Sequence, residues 1–130
     1  MRMGRWWLGL VLGGLLRGQV PIVEARGVVN GVTFELAPSM VAPGGIFSVF
    51  GFNLAPGLLP ASAIPLPVSL GSPAVEVTVN GRSAPLYFVS PTQINAQVPW
   101  ETEPGQAQVV VKRGGVAGPV LAAAGRRRQP

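Results

Sequence analysis

Few side chains in this chain could do covalent chemistry. Its 130 residues include no His, no Cys and no Asp, and a single Lys, Lys112. A Ser-His-Asp triad, a zinc–histidine site and a thiolate site are therefore excluded. Glu101 and Glu103, two apart beside a turn, are the one close pair of carboxylates. Such a pair can serve acid–base work or calcium, but calcium takes about six to eight oxygens and no further acid stands nearby. The pair reads as a solvated loop. Seven serines follow Ala25, and a Ser–Lys nucleophile is possible on paper, but no motif supports it. The sequence predicts no enzyme, no cofactor and no metal.

What remains is recognition chemistry. Trp100 follows Pro99 and is the only Trp beyond residue 25. Its ring could stack on a sugar or anchor a protein partner. Alternatively it caps one end of the fold, with the ring buried and the N–H on a carbonyl. Gln93, Asn95 and Gln97 alternate along one stretch, with Thr92 just before. They could hydrogen-bond a glycan, or form the wet face of a half-buried strand. Trp100, Gln93, Asn95 and Gln97 are thus the candidate ligand or partner contacts. Arg126, Arg127 and Arg128 could meet an anionic surface, but three charges on a chain end bind weakly and read as a tail.

The elements that position these residues are strands. Hydrophobic residues make up 48% and charged residues 12%, enough apolar side chain to build a core despite 18 Gly and 14 Pro. No helical apolar period runs through the chain after residue 25; alternation recurs instead, cut by turn dipeptides. The expected strands are 28–34, 46–50, 74–79, 84–89, 93–98, 106–112 and a weak 116–121. Pro43-Gly44, Asn80-Gly81, Ser90-Pro91, Pro104-Gly105 and Gly114-Gly115 separate them. Asn80-Gly81 is the strongest local signal, because a type I′ turn needs positive φ at both central residues. It predicts a hairpin pairing Val79 with Arg82, Val77 with Ala84 and Val75 with Leu86 on an apolar face, and Glu76 with Pro85 on the other. The proline-rich stretch from Leu54 to Gly71 predicts an extended surface crossing between two sheets. Short strands at regular spacing predict an all-β sandwich.

Charge and the first 25 residues bear on location. Between Gly27 and Gly125 only Arg82, Lys112 and Arg113 face Glu35, Glu76, Glu101 and Glu103. That balance excludes the basic face of a nucleic-acid binder. Arg2 and Arg5 precede an apolar run, Trp6 to Leu16, and Val23-Glu24-Ala25 supplies small residues for a cut after Ala25. The sequence predicts a helical signal peptide over 1–25, an exported domain over 26–121 and a disordered basic tail over 122–130. The apolar run is short of the ~20 residues of a spanning helix, so membrane contact is expected only through the leader.

Several segments carry a resemblance. Gly44 to Leu54 (GGIFSVFGFNL), Val77 to Val98 (VTVNGRSAPLYFVSPTQINAQV) and the following Pro99-Trp100 are similar to IPT/TIG-type immunoglobulin-like domains. They are closest to the variety at the C-terminal ends of secreted Acidobacteria proteins such as those of Solibacter. The Ser90 to Trp100 block is the specific part. The resemblance implies an immunoglobulin-like sandwich and export, and brings no reaction with it. Taken with the lack of catalytic residues, the sequence is read as a non-catalytic structural or protein-binding unit of a secreted, periplasmic or cell-surface protein, the alternative being a carbohydrate-binding accessory module. Members of that family usually continue past Val120 into another strand, where this chain has three alanines, Gly125 and arginines, and its expected 116–121 strand is short and carries Gly118 and Pro119. Both are poor ladder members, so 106–112 is expected to keep a partly unpaired edge open to self-association or to a partner's strand.

Overall fold

A computed structural model of the chain describes residues 20–31, 42–103, 105–119 and 121–124. Residues 1–19 of the expected 1–25 leader, the end of the first expected strand at 32–34, Glu35 and the arginine tail lie outside the described residues. Among the described residues there is no helix. The strands are β1 (Ile22–Asn30), β2 (Ile46–Phe52), β3 (Leu59–Pro60), β4 (Val75–Val79), β5 (Arg82–Ser83), β6 (Leu86–Val89), β7 (Gln93–Gln97), β8 (Gln106–Arg113), β9 (Val116–Ala117) and β10 (Leu121–Ala124). They form two antiparallel sheets. One runs β1-β2-β7-β6-β3; the other runs β10-β8-β4-β5, with β9 also on β8.

The expected all-β sandwich is what the chain forms, and its cause is alternation. Val75, Val77 and Val79 on β4 are buried while Glu76 and Thr78 between them are half-exposed. Ile94 and Ala96 on β7 are buried, with Gln93, Asn95 and Gln97 half-exposed. Phe47, Val49, Leu86, Val89 and Ile94 from the first sheet meet Val75, Val77, Val109 and Val111 from the second in one core. Each such side chain contributes about 1.5–3 kcal/mol by leaving water.

The Asn80-Gly81 hairpin exists, with φ of 52° and 79° at its two central residues. Val79 pairs with Arg82 and Thr78 with Ser83, and the Ala84 N–H still donates to the Val77 carbonyl at 2.8 Å. There the expected pairing ends. Val75 does not pair with Leu86, nor Glu76 with Pro85: Leu86 pairs with Ala96 in the other sheet, while Val75 and Glu76 pair with Arg113 and Lys112. At Pro85 the chain leaves β4 for the other sheet: the Pro85 carbonyl accepts from the Gln97 N–H at 2.8 Å, and the Leu86 N–H, which would have met Val75, donates to the Pro67 carbonyl at 2.7 Å.

The edge expected to stand open on β8 is closed, a second correction. Beyond Gly114-Gly115 the chain folds back along β8. Val116 and Ala117 pair with Arg113 and Lys112, and 121–124 pair with Val109 to Gln106. Since β4 pairs the other side of β8, that strand offers no ladder for self-association. Gly118 still donates its N–H to Val111 at 2.9 Å. Pro119 falls between β9 and β10, where its missing donor interrupts nothing. The strand through Ala124 also extends order past the expected boundary at 121.

The proline-rich crossing does link the sheets. It leaves β2, lays β3 along β6, and reaches β4 through a Leu70–Val75 bridge. β1 starts at Ile22, earlier than the expected Val28, and runs across the Ala25–Arg26 bond.

Candidate functional site

The candidate residues lie on the outer face of the first sheet and at one of its ends. β7 places them: because Ile94 and Ala96 point into the core, Gln93, Asn95 and Gln97 must point outward. β2 supplies the neighbours through its register, with Phe50 opposite Gln93, Ser48 opposite Asn95 and Ile46 opposite Gln97. Phe88 of β6 lies opposite Asn95 on the other side. The polar row is thus flanked by apolar side chains of both neighbouring strands.

The polar groups of the row are engaged with the protein itself. Ser48, fully buried, donates its Oγ–H to Asn95 Oδ1 at 2.7 Å. Gln93 Nε2 donates to the same oxygen at 3.1 Å. Gln97 Nε2 donates to the Gly44 carbonyl at 3.0 Å. Ser90 Oγ joins from the preceding turn, donating to the Gln93 carbonyl and accepting from the Gln93 N–H. These bonds tie β7 to β2 and to the turn before it.

Trp100 follows on from this row. The N–H of Thr102 bonds the Pro99 carbonyl at 3.0 Å, so Trp100 sits second in a tight turn. Gly44 is bound back to β7, its N–H donating to Val98 at 2.9 Å. The six-membered ring of Trp100 rests against Gly44, where a Cβ would collide with ring carbons Cη2, Cζ2 and Cζ3. Gly44 also has φ of +82°, a region that favours glycine. The ring is nevertheless 72% exposed. It does not cap the end of the fold with a buried ring; it lies over the Gly44 turn and presents the rest of its surface to solvent. Gly44 joins Trp100 to Gln97, since its carbonyl receives the Gln97 amide.

Among the described residues no three of His, Cys, Asp and Glu come together. Glu101 and Glu103 are exposed. Lys112 pairs with Glu76 and Ala117 across the second sheet, away from Ser48. The structure adds apolar side chains that the sequence did not single out. In the proline-rich crossing Leu58 is 69% and Ile64 93% exposed.

The IPT/TIG domain family matches residues 32–123. The chain belongs to the IPT/TIG family. No curated protein matches it. The match covers β2 through most of β10 and includes Gly44, the polar row and Trp100, while β1 precedes it. IPT/TIG domains are immunoglobulin-like modules, generally non-enzymatic and commonly engaged in protein–protein contacts.

Proposed function

We propose that this IPT/TIG chain is a non-catalytic, exported module that binds another protein through the Trp100 end of its first sheet, as a unit of a secreted or cell-surface protein. The observation that carries the reading is the exposed Trp100 ring seated on Gly44 by an ordered turn. A large rigid aromatic offers contact area at low entropic cost, and the flanking Ile46, Phe50 and Phe88 extend an apolar surround. The polar row favours protein over glycan. Asn95 Oδ1, Gln93 Nε2 and Gln97 Nε2 already have partners within the domain, so a sugar would compete with existing bonds. Export rests on the order of Arg2, Arg5 and the Trp6–Leu16 run. The Ser90 to Trp100 block supports the Solibacter-type variety of the family.

A photo-crosslinking residue at position 100 of the full chain, compared with one at exposed position 82, tests this in the native cell. Protein adducts at 100 and none at 82 support the reading. A glycan array signal lost in Trp100→Ala would move the function to carbohydrate binding. No adduct and no glycan signal would leave only a spacer role.

A further inference from the structure

The glycines at 51 and 118 locate the true start of the domain. Neither lies in the left-handed region, so backbone conformation does not demand glycine at either. What does is a close approach. A Cβ on Gly51 would strike the carbonyl of Ile22, and its other near neighbours are also Ile22 and Val23. A Cβ on Gly118 would strike the carbonyl of Pro21, and every near neighbour there belongs to Pro21. Gly51 is on β2 of the first sheet; Gly118 joins β9 to β10 at the edge of the second. Residues 21–23 therefore lie along the seam between the two sheets and touch both.

Burial agrees with this. Pro21 is fully buried, and Val23 packs against the core cluster. Ile22 and Val23 pair with Phe52 and Gly51. The register then breaks, and pairing resumes with Val28 opposite Val49. Glu24, Ala25 and Arg26 bulge outward and are exposed, while Gly27 is buried. A cut after Ala25 would remove the segment on the seam and keep only the bulge's exit.

We propose that residues 21–25 are part of the folded domain and that leader removal on export, where it occurs, falls before Pro21 and not after Ala25. The seam segment closes the side of the sandwich where β1 meets β10, and a chain starting at Arg26 would expose Gly51, Gly118 and the core beside Val23. The cleavage part of this rests on the export reading above.

The test uses the full chain, expressed with its own leader in a bacterium that exports through the general secretory route. Intact mass of the protein from each cell fraction gives its first residue. A start at or before Pro21 is expected; exported protein starting at Arg26 overturns the proposal. Thermal melting of Gly118→Ala and Gly51→Ala supplies an arm independent of export. Each is expected to lower the midpoint by about 5 °C or more, because the new methyl group meets the seam segment. Gly57→Ala, with nothing within 4 Å of its Cβ, serves as the control. If Gly118→Ala melts with the unaltered chain, the segment is not on the seam and the proposal fails. A chain confined to the cytoplasm with Met1 intact sinks the export reading, and the Gly118→Ala comparison still decides where residues 21–25 belong.

Discussion

Two glycines with open surroundings and different backbones isolate the contribution of the Asn80-Gly81 turn. A Cβ at Gly81 would meet nothing within 4 Å, and the same holds at Gly57. Gly81 has φ of +79°, whereas Gly57 lies outside the left-handed region. In both, replacement by Ala restricts the unfolded chain, an effect worth about 0.4–1 kcal/mol in favour of folding. That contribution cancels when the two variants are compared. The difference left is the cost of placing an L-residue in the left-handed region, about 1–2 kcal/mol. Gly57→Ala is expected to be neutral or slightly stabilising, and Gly81→Ala to be destabilised relative to it by that difference. In a domain of this size, about 1 kcal/mol moves the midpoint by roughly 4–8 °C. Calorimetry of both variants beside the unaltered chain reads this directly. Coincident melting of Gly57→Ala and Gly81→Ala would refute the type I′ turn, and with it the register from Val79–Arg82 to Ala84.

Leu86→Ala removes a fully buried side chain and is expected to cost about 2–5 kcal/mol in denaturant titration; a smaller loss would place Leu86 outside the core. Ser48→Ala deletes a buried donor to Asn95 and is expected to cost about 1 kcal/mol, seen as a lower denaturation midpoint at unchanged slope. Trp100→Ala is expected to shift stability by less than about 0.5 kcal/mol, as for most exposed positions, while abolishing cross-linking from neighbouring positions to a partner. Light scattering over about a hundredfold concentration range is expected to show no association through β8, which is paired on both sides; a dimer lost when β10 is truncated would show that β10 does not cover it.

The strands of the core were legible because alternation leaves little choice, whereas β3 and β10, which lack that signal, were not. Gln93 to Gln97 can bury Ile94 and Ala96 only by turning the amides outward. Which sheet a strand joins was not legible, and the reason is geometric. Both sheets wall the same core, so Ala84 and Leu86 keep their inward positions whether the chain stays beside β4 or crosses to β7. Pro85 cannot donate to a ladder, which fitted a residue facing away from its partner within the hairpin. It could not say that the chain changes sheet, because that depends on whether Leu86 pairs back with Val75 or forward with Ala96 ten residues later. The β8 edge misled for a related reason. Gly118 and Pro119 are poor members of one continuous strand, but the chain makes two short strands and puts the proline in the gap.

The exposure of Trp100 depends on a residue distant in sequence. From its neighbours alone, Pro99-Trp100 fits a buried cap as well as an exposed ring, since Trp100 lies just beyond β7 in either case. Gly44 decides between them. Because it has no Cβ, the indole can rest against the turn and need not enter the core end. Because its carbonyl takes the Gln97 amide, the turn is fixed to β7 beneath the ring. An alanine at 44 would displace the ring and strain the turn together. Gly44→Ala should therefore alter Trp100 fluorescence as well as stability, whereas Trp100→Ala should leave stability nearly intact. Only if both hold is Gly44 the seat of an exposed contact residue; if Trp100→Ala is as costly as Gly44→Ala, the ring serves packing, and the binding surface must be sought elsewhere on the domain.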